Sequence, residues 1–133
     1  MSRRELPIET EDDVVTVRRA VRAIAQERGF NAFASAAVTT ATSELARNVW
    51  VHARRGAVVI ECVRRGDRHG VRAAFRDEGP GIADVPRVLQ GGYSTARSLG
   101  LGLSGSRRLV DELTVDSEVG RGTVVTFLKW SHA

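Results

Sequence analysis

The stretch "GLGLSG", Gly100 to Gly105, stands at the head of a segment with helical periodicity. Free backbone N–H groups at a helix start make an anion site, and glycines let a phosphate come close. A second stretch, "DEGPGI", Asp77 to Ile82, puts a carboxylate and then a glycine, a proline and a glycine directly after an apolar run. Taken alone it is a turn. The third, "SELARN", places Glu44 and Asn48 four residues apart, so on a helix both project from one face. Leu45 and Val49 each follow by one residue, which sets the polar pair beside a buried stripe. Taken alone, that pair reads first as surface side chains hydrogen-bonding along the helix. The fourth, "GRGT", ends on Thr123, where the last apolar strand begins.

Several familiar chemistries are excluded by what surrounds these stretches. "GLGLSG" matches G-x-G-x-x-G, but a dinucleotide fingerprint needs a strand just before it and a long parallel sheet after it. Here a polar loop precedes it and too little chain follows. No Val-Ala-Ile-Lys, His-Arg-Asp or Asp-Phe-Gly accompanies it, as a protein-kinase glycine loop requires. A Gly-Lys-Ser/Thr for a Walker A loop is also missing. Zinc spacing is absent, with one cysteine and with His52, His69 and His132 far apart. Cys62 lies in "VVIECV" and reads as a small buried hydrophobe.

The elements that would position these stretches can be read from periodicity. "ELPIE" alternates as an edge strand, and Asp12 or Asp13 is placed to cap the helix that follows. Val14, Val17, Val21 and Ile24 form its apolar stripe, and Gly29 suits its stop. Phe30 and Phe33 lead into a second helix from about Ser35 to His52, whose buried face is Val38, Ala41, Leu45 and Val49. "AVVIECV" and "VRAAFRDEG" read as paired strands around "RRGDRHG". A short helix is expected over Asp84 to Leu89, and a mobile loop over "QGGYSTARSLG". Helical spacing resumes through Leu103, Leu109 and Val110. "LTVDSEVGRGTVVTFLKW" closes as a hairpin with Gly120 and Gly122 at its turn. This order predicts an α+β fold, a two-layer sandwich with helices on one face of a mixed, largely antiparallel sheet.

With 133 residues the chain is expected to be a single domain, 1–133. It has no apolar run of the length that spans a bilayer and no signal-peptide core in "MSRRELPIETEDD". The expectation is therefore a cytoplasmic protein without membrane partners. Its net charge of +4 is carried almost wholly by arginine, with Lys129 the only lysine. The arginines are scattered rather than clustered, which argues against a nucleic-acid partner.

In order and spacing, the four stretches resemble the nucleotide-binding boxes of the GHKL ATPase superfamily, which holds gyrase-type topoisomerases, histidine kinases, mismatch-repair ATPases and anti-sigma serine kinases. Glu44 and Asn48 match the N box, and Asp77, Gly79 and Gly81 match D-x-G-x-G. Gly100 and Gly102 match the lid glycines, and Gly120, Gly122 and Thr123 the last box. The resemblance implies the Bergerat ATP-binding fold, with ATP and Mg²⁺ as cofactors. Asp77 would accept a hydrogen bond from adenine's amine, which an ionised carboxylate can do and which opposes guanine's carbonyl. Thr123 would support Asp77, and Gly79, Gly81 and Ile82 would lie along the base. Ser94, Thr95, Gly100, Leu101, Gly102 and Leu103 would form the lid over the phosphates. Asn48 would offer its carbonyl oxygen to Mg²⁺, and Glu44 would be the catalytic base.

Within the superfamily the chain has no room for a transducer domain, and the helix from Val14 to Gln26 carries no phosphoacceptor histidine. "GGYSTARSLGLGLSGSRRLVDEL", "VDSEVGRGT" and "SELARN" resemble the RsbT-type switch kinases of partner-switching modules. That type implies a serine/threonine-protein kinase acting on a STAS-domain antagonist, with a PP2C-type phosphatase activated on release. A second class fits the same motifs: an anti-sigma factor or other nucleotide-dependent binding module that sequesters a sigma factor.

Overall fold

A computed structural model of the chain describes residues 3–82, 85 and 99–131, without the side chains of 99–102. The expected loop "QGGYSTARSLG" and the short helix over Asp84 to Leu89 fall almost wholly outside these residues. The chain runs β1 (Arg3–Ile8), α1 (Glu11–Glu27), α2 (Ala32–Ala53), β2 (Gly56–Arg65), β3 (Arg68–Asp77), α3 (Leu99–Leu109), β4 (Glu112–Glu118) and β5 (Gly122–Trp130). Helix α3 therefore stops short of Val110, and the "DEL" that follows enters β4.

The strands form one sheet in the order β1-β2-β3-β5-β4. The expected α+β sandwich on a largely antiparallel sheet is borne out, and among the described residues every neighbouring pair is antiparallel. Two helices carry the chain from β1 to β2 and so reverse its direction. The α3 crossover returns β4 in the same sense as β3, but β5 inserts between them and no parallel pair forms. β1 is an edge strand, as its alternation predicts.

The three helices among the described residues, α1, α2 and α3, cover one face. The period of two along the strands buries Ile8 from β1, Val58 and Ile60 from β2, Val71, Ala73 and Phe75 from β3, and Val125 and Phe127 from β5. Against them pack Val17, Val21 and Ile24 of α1, the whole predicted stripe of α2 (Val38, Ala41, Leu45 and Val49), and Leu103 of α3. Phe75 and Phe127 meet at 6.0 Å between ring centroids. Each buried ring contributes roughly 1.5–3 kcal/mol.

The helix starts differ from expectation for a local reason. Thr10, rather than Asp12 or Asp13, caps α1. Its hydroxyl accepts the Asp13 N–H at 3.2 Å, while the Asp13 carboxylate accepts the Thr10 N–H at 3.0 Å. This reciprocal box needs the acid three residues inside the helix. Asn31 caps α2 by accepting the Ala34 N–H at 2.8 Å. The helix thus begins at Ala32, ahead of Ser35, and Phe33 falls on its outer face.

Candidate functional site

The alternation that buries Val71, Ala73 and Phe75 turns Asp77, the last residue of β3, toward the helices. Thr123, its register partner on β5, faces the same way. From α2 come Leu45, Asn48 and Val49, and from α3 Leu103. Together with Phe75, Ile82 and Val125 they line one narrow cleft of about 20 Å³, whose polar side chains among the described residues are Asn48, Asp77 and Thr123. The fold therefore brings together Asn48, Asp77, Ile82, Leu103 and Thr123 of the residues singled out in the sequence.

The carboxylate at the cleft's end is held in place. Asp77 Oδ1 accepts the Gly79 N–H at 2.8 Å, and the Thr123 N–H also hydrogen-bonds the carboxylate. Burial raises the Asp77 pKa above the ordinary carboxylate value, against those two hydrogen bonds and the nearby His52. His52 sits one turn beyond Asn48 on α2. Burial lowers its pKa, and the charge of Asp77 opposes that shift. A desolvated acceptor rim of this kind suits a ligand that donates a hydrogen bond.

The glycines after Asp77 are close-approach positions. A Cβ at Gly79 would stand 2.9 Å from the Ala53 Cβ and 3.1 Å from Asp77 Oδ1. Gly81 has φ +82, and a Cβ there would run into the Glu118 carbonyl. A side chain at either would push the turn off its supports.

Sequence reasoning missed the residue that ties this turn down. The Ser117 hydroxyl accepts the Ile82 N–H at 2.8 Å. It lies 3.1 Å from the Gly122 carbonyl, to which it donates, and 2.8 Å from the Thr123 hydroxyl. With one proton to give, it donates to Gly122 and accepts from Thr123. A second tie runs from the Gly120 N–H to the Pro80 carbonyl at 3.0 Å. A readable signal existed: Leu113, Val115 and Ser117 alternate on one face of β4. Ser117→Ala leaves the Ile82 N–H without its acceptor. We expect a stability loss of about 1–3 kcal/mol and weaker nucleotide binding, with Ser117→Thr restoring both. Chemical denaturation and a calorimetric titration check this.

The remaining predicted residues are placed less centrally. Glu44 is exposed, one turn before Asn48 on α2, and does not line the cleft. Gly100, Leu101 and Gly102 lie in the first turn of α3. Ser94 and Thr95 fall outside the described residues.

Asn48 fits a metal-and-phosphate role. Its Nδ2 is buried with no hydrogen-bond partner among the described residues, so its amide is free to turn either polar atom toward a ligand. No group of three His, Cys, Asp or Glu side chains among the described residues could hold a metal alone. An ion here would depend on phosphate oxygens and water beside the Asn48 oxygen, a donor set that suits Mg²⁺. No helix among the described residues is long and apolar enough to cross a membrane.

Comparison with known proteins shows the family. Residues 7–129 match the histidine kinase-like ATPase domain family. The chain is 42% identical to the serine/threonine-protein kinase RsbT of Bacillus subtilis over 123 residues, 92% of each chain. It is 31% identical to an anti-sigma F factor of Caldanaerobacter subterraneus, covering 70% of this chain and 68% of that one. In fold it is similar to a solved structure of the RsbU and RsbW domains of a Mycobacterium tuberculosis protein, with a TM-score of 0.65 and 23% identity. That match covers 97% of this chain and 32% of the other. The chain therefore belongs to the histidine kinase-like (GHKL) ATPase domain family, among the RsbT-type serine/threonine-protein kinases.

Proposed function

We propose that the chain uses Mg-ATP to phosphorylate a serine or threonine of a STAS-domain antagonist in a bacterial partner-switching stress response, working in the cytoplasm and activating a PP2C-type phosphatase once released. The observation that carries the nucleotide part is the Asp77 carboxylate, pinned by the Gly79 and Thr123 N–H groups at the end of an apolar cleft that also holds Asn48. The kinase part rests on the similarity to RsbT.

Each residue then has a distinct task. Asp77 accepts from the exocyclic amine of adenine, while Ile82, Val49 and Leu103 exclude water around the ring. Asn48 would offer its amide oxygen to a Mg²⁺ ion, which would supply neutralisation of phosphate charge. The backbone at Gly100 and Gly102, at the start of α3, faces the phosphates. Glu44 takes the proton of the acceptor hydroxyl as its oxygen bonds to the γ-phosphorus. The bond from that phosphorus to the β,γ-bridging oxygen breaks, and ADP leaves. Positioning and charge neutralisation supply most of such catalysis.

The test is transfer of radiolabelled γ-phosphate from ATP, with Mg²⁺, to a purified STAS-domain protein. Label on a serine or threonine is the expected result. The anti-sigma F relatives favour a second reading, and retention of a sigma factor without any transfer would favour it over the kinase. Asn48→Ala is expected to weaken Mg-ATP binding about 10-fold or more while nucleotide binding in EDTA changes far less. A calorimetric titration with and without Mg²⁺ checks this.

A further inference from the structure

Phe33 is 89% exposed at the start of α2, although most of that helix's other large apolar side chains are buried. A lone exposed aromatic is ordinary, but this one stands within a continuous surface. Phe33, Ala37, Thr40 and Glu44 recur at helical spacing and share one outer strip of α2. Hollows flank the strip on both sides. One, toward α3 and β5, includes Phe33, Ala36, Ala37, Arg108 and Lys129. The other, toward α1, includes Arg22, Ala36 and Thr40. Among the described residues, every charged one lining the two hollows is a cation.

We propose that this strip is the docking surface for the phosphoacceptor protein, which seats an apolar side chain beside Phe33 and an acidic rim against Arg22, Arg108 and Lys129. The proposal rests on Glu44 being where the acceptor hydroxyl arrives. Phe33 and Glu44 are separated by eleven residues, or about 16 Å along a helix. A stable protein interface covers about 800 Å² on each partner, a patch about 30 Å across. One such patch is therefore wide enough to take in both Glu44 and Phe33. The small side chains between them, Ala36, Ala37 and Thr40, leave room for close approach. The cationic rim selects an acidic partner and steers its encounter.

The experiment titrates each purified STAS-domain protein of the source organism into wild-type chain, Phe33→Glu, Phe33→Tyr and Arg108→Glu, by calorimetry. Mg-ATP binding and the melting temperature are measured beside it. Wild type should bind at least one such protein. Phe33→Glu and Arg108→Glu should each weaken that binding 10-fold or more, Phe33→Tyr should retain it, and Mg-ATP affinity and melting should not change. Equal STAS affinity of Phe33→Glu and wild type overturns the proposal, as does failure of wild type to bind any STAS protein. A self-association of wild type that Phe33→Glu abolishes, with STAS binding intact, assigns the surface to a second copy and also overturns it. Loss of STAS binding in Phe33→Glu, where wild type binds yet transfers no phosphate, upholds the docking surface and removes the kinase reading instead.

Discussion

Glu44→Gln is expected to bind Mg-ATP as wild type does and to transfer phosphate about 10²–10⁴-fold more slowly, the usual contribution of a general base. The change preserves shape and hydrogen-bonding reach and removes only the capacity to take a proton. Glu44 is exposed and outside the cleft lining, so stability should stay within about 0.5 kcal/mol of wild type. Single-turnover transfer from radiolabelled ATP to the STAS acceptor, run beside a binding titration, separates chemistry from affinity. A wild-type transfer rate would leave water or another residue as the base. Loss of ATP binding would instead mean that Glu44 organises the nucleotide.

Asp77→Asn is expected to lower ATP affinity about 10- to 100-fold, the range for a hydrogen bond to a charged group, and to narrow the preference for ATP over GTP. The amide adds a donor where adenine also donates, and guanine's carbonyl can accept from it. Its effect on the empty protein should be opposite in sign. Burial raises the Asp77 pKa, so the folded state holds its proton to higher pH than the unfolded chain does. Between the two pKa values the folded state binds more protons, and stability falls as pH rises through that window. Above it, ionised Asp77 is a standing cost to the fold. The nucleotide-free Asp77→Asn protein should accordingly melt no lower than wild type near neutral pH. Binding that requires ionised Asp77 should weaken on acidification from a higher pH than an ordinary carboxylate would give. Thermal melts with and without ATP across pH check both statements.

Much of this site was legible in the sequence because it sits where periodic elements end. The alternation through Val71, Ala73 and Phe75 fixes the face on which Asp77 emerges. The stripe of Val38, Ala41, Leu45 and Val49 likewise fixes that of Asn48. What was missed depends on contacts between distant segments. The Ser117 hydroxyl matters because β4 pairs with β5 and so comes beside Ile82, 35 residues away. His52 could have been read from its spacing after Asn48, but its influence on Asp77 exists only once α2 packs over the end of β3. The α2 start was misjudged because the helical pattern is weak before Val38, whereas the Asn31 cap decides where the helix begins. That shift of one turn moved Phe33 from a connecting segment onto an exposed helical face. The largely antiparallel sheet was legible, and it carries no parallel pair among the described strands for a topological reason, the insertion of β5 between β3 and β4.

The central claim is that the cleft ending at Asp77 reads adenine. The most direct measurement is a pair of calorimetric titrations of the wild-type chain, one with Mg-ATP and one with Mg-GTP, at the same pH and ionic strength. The phosphates and metal are common to both, so the difference isolates the base. A carboxylate held by Gly79 and Thr123 can accept adenine's amine and can only repel guanine's carbonyl, which predicts at least a 10-fold preference for ATP. Equal affinity for the two nucleotides, or heat from neither, would contradict the assignment of this cleft.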